Sequence, residues 1–213
     1  MLKIAHRGYS ALYTDNTIEA FTSAIEYDFD MIELDIQLCK YDDIIVFHDT
    51  MINNKEISEY TLTELEDIGI ISLQTFFKTI DTRYIPVYLD LKGKVSIANK
   101  LSEFFFENMN IIYLPNISVA SFNRKMLQII KSCGFPVTLG YITSSNYTND
   151  EWKILSNDVD FISISKDVLD NETTNYLHKL NKSVFVYTCH NQVEYDYISQ
   201  FNIDGIITNM LIE

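Results

Sequence analysis

The chain is 213 residues long, 47% hydrophobic, and carries a formal net charge of −14. That apolar share supplies a full core and excludes a disordered chain. The negative field repels phosphate backbones and anionic lipid surfaces, which excludes duplex nucleic acid as a partner; an anionic small molecule could bind only where a metal or basic side chains gather positive charge. No apolar run is long enough to span a bilayer, and no apolar leader precedes the first strand, so a cytoplasmic protein is expected. Three cysteines, Cys39, Cys133 and Cys189, lack metal-ligand spacing and read as reduced and structural.

In chain order, Leu2 to Ala5 is a short apolar strand ending in His6-Arg7-Gly8. Asp15-Asn16-Thr17 follows, and Asn16 with Glu19 predicts a capping box for a helix carrying Ile18, Phe21, Ala24 and Ile25 on one face. Met31 to Gln37 then alternates strictly: Ile32, Leu34 and Ile36 share one side, Glu33, Asp35 and Gln37 the other. The turn at Lys40 to Asp43 is too short for a helical crossover, so Ile44 to His48 is expected to return antiparallel, as a hairpin arm over the mouth of the fold. A turn centred between Tyr41 and Asp42 would set His48 opposite Asp35. Thr61 to Glu64 predicts a helix start, and Leu73 to Lys78 a second short helix.

Val87 to Leu91 repeats the two-faced pattern, with Val87, Leu89 and Leu91 on one side and Tyr88, Asp90 and Lys92 on the other. From there the pattern alternates: helix 96–107, strand 117–121, helix 123–133, strand 137–141, helix 150–156, strand 161–165, helix 170–180, strand 183–188, helix 192–200 and strand 204–208. Leaving out the hairpin arm, eight strands separated by helices predict a (β/α)8 TIM barrel in one domain spanning 1–213. No Gly-x-Gly-x-x-Gly follows any strand, so a dinucleotide-binding open sheet lacks support. Five residues follow Thr208, so the last outer helix is expected to be missing, with that flank bare or covered by a partner. Apolar faces covered by helices would send the charged faces of the two patterned strands to the barrel mouth, where a metal or anionic ligand could sit.

His6-Arg7-Gly8, Asp15-Asn16-Thr17, Glu33-x-Asp35, His48-Asp49, Asp90-x-Lys92, Ser121-Phe122 and the terminal Asp204-Gly205-Ile206-Ile207-Thr208 together resemble the ordered motifs of glycerophosphodiester phosphodiesterases. The resemblance spans nearly the whole chain. It implies a barrel of the phosphatidylinositol-phospholipase-C type that hydrolyses a glycerophosphodiester to an alcohol and glycerol 3-phosphate. The chemistry suits the residues. Glu33, Asp35 and Asp90 form a hard oxygen set for Mg2+ or Ca2+, without the His and Cys neighbours of a zinc cage. Arg7 and Lys92 supply positive charge for the phosphate. His6 and His48 can exchange protons near neutral pH, and either could be the base. Asp49 is expected to orient the hairpin or His48, and Tyr187, where the family usually has tryptophan, is a candidate substrate contact. His178 reads as exposed and His190 as structural.

Departures from the family pattern qualify the substrate. Asp15 replaces a glutamate, as does Asp90, and an aspartate at the latter position is similar to sphingomyelinase D phospholipases. The segment between His48 and Val87 is shorter than the family's substrate-capping insert, which implies an open mouth. Two alternatives therefore accompany the main expectation: a phospholipase D-like enzyme turning lysophospholipids into cyclic phosphates, and an inactive barrel that only binds a ligand.

Overall fold

The computed structural model describes residues 1–212. In order, its elements are β1 (Leu2–His6), α1 (Ile18–Glu26), β2 (Met31–Leu38), β3 (Ile44–Val46), β4 (Met51–Ile52), β5 (Lys55–Glu56), α2 (Leu62–Glu66), α3 (Leu73–Thr79) and β6 (Val87–Leu91), then α4 (Ser96–Asn108), β7 (Ile117–Ser121), α5 (Arg124–Ser132), β8 (Thr138–Thr143), α6 (Asn149–Leu155), β9 (Phe161–Ser165), α7 (Asn171–Lys179), β10 (Ser183–Cys189), α8 (Gln192–Ile198) and β11 (Gly205–Thr208). Strands β1, β2 and β6 to β11 pair in parallel, each with the next, and β11 pairs back with β1. The expected (β/α)8 barrel is therefore closed.

Period-2 alternation divides each strand between two cores. Ile32, Leu34 and Ile36 of β2 and Val87, Leu89 and Leu91 of β6 face outward. They are buried in one large cluster with helix residues such as Phe21, Leu101 and Leu127. Burying each such side chain contributes about 1.5–3 kcal/mol, which fixes which face of the strand turns inward. The inward set is smaller: Ile4, Met31, Tyr88, Ala120, Ile142, Phe161, Phe185 and Ile207 fill the barrel. Above that apolar floor, the same inward positions carry His6, Glu33, Asp35 and Asp90.

The antiparallel arm is present, but its register differs by one residue from expectation. Ile36 pairs with Val46 and Leu38 with Ile44, and the Phe47 N–H donates to the Asp35 carbonyl at 3.0 Å. Asp35 thus faces Phe47, not His48. The cause is the turn, which winds as a single 3-10 step with Tyr41 and Asp42 at φ of 67° and 66° and so centres on Tyr41.

Two further expectations change. Asn16 does not cap α1; Thr17 does, its hydroxyl accepting from Ala20 N–H, while Asn16 sits left-handed at φ 58° and buried. His178 is half-buried, not exposed, because its Nε2 lies 2.8 Å from Asp204 Oδ2. No helix follows β11 among the described residues. Met210, Leu211 and Ile212 pack against the core instead, and the Ile212 carbonyl accepts from Lys3 Nζ at 2.6 Å. Among the described residues no helix is long and apolar enough to cross a membrane.

A glycine makes room for the inner floor. A Cβ on Gly140 of β8 would run into the Phe161 ring from β9. Gly140→Ala is expected to lower stability by about 1–3 kcal/mol through overpacking, read as a lower midpoint in urea unfolding with an unchanged slope.

Candidate active site

Eight parallel strands deliver their C-terminal ends to one rim, so side chains far apart in sequence meet there. All eight residues singled out from the sequence, His6, Arg7, Glu33, Asp35, His48, Asp90, Lys92 and Tyr187, line one cleft of about 410 Å3. Tyr88, Phe122, Ile142, Thr188, His190, Ile207 and Asn209 complete its wall.

Glu33 and Asp35 leave β2 on the inner face, and β6 sets Asp90 directly beside Asp35 in the strand register. Each of the three carboxyl groups presents an oxygen within 4.8 Å of the other two. They are buried, with exposures of 3%, 1% and 7%. Such a cluster is tolerated only when neutralised. Arg7 and Lys92 do most of this: Arg7 Nε lies 2.9 Å from Asp35 Oδ2, and Lys92 Nζ lies 2.6 Å from Asp90 Oδ2 and 3.3 Å from Asp35 Oδ1. The Arg7 guanidinium also reaches Asp15 at 3.0 Å, while the Arg7 backbone N–H donates to Glu33 Oε2 at 2.8 Å. That N–H is aimed inward because Arg7 is left-handed at φ 58°. Gly8 follows at φ 79°, where a Cβ would strike the Ala20 backbone.

The neutralisation is unequal. Burial alone would raise the Asp35 carboxyl, but Lys92 and then Arg7 outweigh it and hold that group below its ordinary range. Burial followed by repulsion from Asp35 and Asp90 pushes Glu33 well up. Burial also raises Asp90 to about 7 despite Lys92. Asp90 Oδ1 is buried with no hydrogen-bond partner. Three acids against two cations, with one carboxylate oxygen left unpartnered, is a donor set that fits a hard divalent ion.

The two imidazoles sit in different surroundings. His6 ends β1 inside the barrel, its Nδ1 2.6 Å from Asn209 Oδ1. Burial and then the Arg7 cation lower its pKa to about 4. A neutral ring whose Nδ1–H donates to that amide oxygen keeps a lone pair on Nε2. The same amide donates through Nδ2 to His190 Nδ1 at 3.0 Å. His48 lies just past β3, with its Nδ1 2.7 Å from Asp49 Oδ1. Across the cleft, burial and then Asp90 raise the Tyr187 phenol, so it stays protonated; its buried hydroxyl has no partner. The Phe122 ring stands edge-on to Tyr187 at 6.2 Å, with Lys92 Nζ 5.7 Å from its centroid.

Several residues at the site escaped the sequence reading. Asn16 donates to Asp35 Oδ2 at 3.1 Å and accepts from the Asp35 N–H at 3.3 Å. Asn209 ties His6 to His190, and inward parity with Ile207 would have placed it. Gln37 continues the inward face of Glu33 and Asp35, a signal already in the alternation.

A family model described as the glycerophosphoryl diester phosphodiesterase family matches residues 6–131. The Bacillus subtilis (strain 168) protein YhdW is 27% identical over 98% of this chain and 94% of its own length. A glycerophosphodiester phosphodiesterase of Caldanaerobacter subterraneus subsp. tengcongensis is 28% identical over 66% of each chain. Among solved structures, an Oleispira antarctica phosphodiesterase in complex with the product sn-glycerol-3-phosphate superposes with a TM-score of 0.86 at 18% identity, covering 98% of this chain and 93% of that one.

A raised carboxyl pKa carries a sign. Glu33 and Asp90 hold extra protons in the folded state, so without metal their contribution to stability is present at low pH and lost as pH rises, that of Asp90 through about 7. An ion needs both groups deprotonated. Chelated protein is therefore expected to melt lower at pH 8 than at pH 5.5. A hundredfold excess of Mg2+ or Ca2+ over its Kd should restore about 3 kcal/mol at pH 8 and much less at pH 5.5, as calorimetry with and without chelator would measure.

Proposed function

The chain belongs to the glycerophosphoryl diester phosphodiesterase family, and from that premise we propose that it hydrolyses small glycerophosphodiesters to an alcohol and glycerol 3-phosphate, with a divalent cation, Mg2+ or Ca2+, as cofactor and His6 and His48 moving the protons. One observation carries the reading: two imidazoles with different partners share a cleft with three buried carboxylates. The glycerol 3-phosphate bound by the Oleispira relative is the product this reaction would leave. Both imidazoles and all three acids in one cleft argue against the inactive-barrel alternative.

Glu33, Asp35 and Asp90 would hold the cation, which when bound offsets the negative charge growing on the phosphoryl oxygens. Arg7 and Lys92, anchored on the acids, add positive charge at the rim, and the free Tyr187 hydroxyl donates to the substrate. A glycerol hydroxyl attacks phosphorus, and as the new O–P bond forms His6 Nε2 takes its proton. His48 gives a proton to the departing alcohol oxygen as the old P–O bond breaks, leaving a cyclic phosphate. Water then adds to phosphorus and loses its proton to His48. His6 returns its proton to the glycerol oxygen as the ring opens. The roles follow the surroundings: the ring that burial keeps neutral is ready to accept, which leaves the ring held at Nδ1 by Asp49 to donate.

A second reading has its own observation. No residue between 50 and 86 lines the cleft, so the short segment after the arm leaves it open. An open mouth could admit a lysophospholipid and release the cyclic phosphate before water adds.

Assay of a glycerophosphodiester panel is expected to show alcohol release with Mg2+ or Ca2+ and none with chelator. Phosphorus NMR should find a monoester; a persistent cyclic species would favour the second reading, and no release from any diester would refute both. His6→Ala and His48→Ala are each expected to lower kcat by about 10^2 to 10^4-fold, whereas Tyr187→Phe should cost about fivefold in kcat/KM, the worth of one hydrogen bond.

A further inference from the structure

His48 is the one proposed proton carrier that does not stand on a barrel strand. The antiparallel ladder ends with Val46, and the last backbone bond tying the arm to β2 runs from Phe47 N–H to the Asp35 carbonyl. Beyond it the chain turns toward Thr50, whose carbonyl accepts from Ile57 N–H. Without a further tie, an imidazole on that turn would swing by more than proton transfer tolerates.

The tie is Gln37. This side chain is buried, two residues past Asp35 on the same inward face of β2. Its Nε2 donates to the Phe47 carbonyl at 2.8 Å and to the Asp49 carbonyl at 2.8 Å. The amide orientation follows from chemistry: two carbonyl oxygens at that distance require the NH2 end. The two bonds bracket His48, gripping the peptide chain immediately before and after it. Asp49 then holds the ring itself through Nδ1. A single strand thus carries two of the buried acids and, two residues on, the clamp for the imidazole.

We propose that Gln37 is a positioning residue that fixes His48 against the acid cluster, and so sets the rate at which the leaving alcohol receives its proton. This rests on the acid role given to His48 above, and the test separates the two. Alcohol release in a single turnover, a step complete before water adds, is compared on two substrates that share the glycerol nucleophile: glycerophosphocholine, whose alkoxide must be protonated to leave, and the p-nitrophenyl ester of glycerol phosphate, whose phenolate leaves unaided. The proteins are wild type, Gln37→Leu, Gln37→Glu, His48→Ala and Gln37→Leu combined with His48→Ala.

Both Gln37 variants are expected to lose about 10 to 100-fold in the single-turnover rate of release from the choline ester, with half-saturation little changed, and less than about threefold from the nitrophenyl ester. Gln37→Glu keeps the shape while removing the donors, so it should match Gln37→Leu. The double variant should be no slower than His48→Ala alone, because the clamp acts only through the ring it holds. Losses that add in the double variant, or a Gln37 effect equal on both esters, would overturn the proposal. If His48→Ala hits both esters equally, the acid assignment fails, and the additivity comparison still judges Gln37. Melting curves of the Gln37 variants guard against unfolding as the cause.

Discussion

Three carboxyl groups buried within a few ångströms of one another repel each other and resist leaving water. The rest of the site is arranged around that conflict. Lys92 bridges Asp35 and Asp90, Arg7 reaches Asp35 with its guanidinium and Glu33 with its backbone N–H, and Asn16 braces Asp35 twice. The result is a graded set: Asp35 is held ionised, while Glu33 and Asp90 are pushed up and one oxygen of Asp90 is left without a partner. Once deprotonated, three carboxylates against two cations, with an oxygen to spare, form a donor set that fits a divalent ion.

The barrel allows this because it separates stability from chemistry. Outward faces of β2 and β6 are buried beneath the helices, and the inward apolar floor of Tyr88, Phe161 and their neighbours fills the space below the acids. The charged layer therefore rests on a packed base and opens only upward, into the cleft. His6 belongs to that rigid part, fixed by β1 and by Asn209. His48 stands on an arm outside the barrel ladder, where local contacts from Asp49 and Gln37 take over the positioning. One imidazole is thus set by the fold and the other by a few side-chain bonds.

Much of this was legible from the chain alone. Alternation in Met31 to Gln37 and Val87 to Leu91 marked both two-faced strands, and Thr61 with Glu64 marked a helix start that forms as a full capping box. What misled was local and conformational. Asn16 has the composition of a cap, yet its left-handed backbone turns it inward onto Asp35, leaving the cap to Thr17. The arm slipped by one residue because Tyr41 and Asp42 both take positive φ, a conformation that neither residue type announces. Asn209 and His190 meet only because β10 and β11 end side by side.

Periodicity of apolar residues is a property of the chain itself. It determined the eight strands, their inward and outward faces and the residue types at the mouth, since burying apolar area admits only one orientation of each strand. Ring closure is different: pairing β11 with β1 brings Asn209 to His6 across most of the chain's length, and no local pattern encodes that distance. The same holds for which acid is ionised. Protonation depends on burial and on the angles at which Lys92 and Arg7 approach, and those exist only once the barrel has closed.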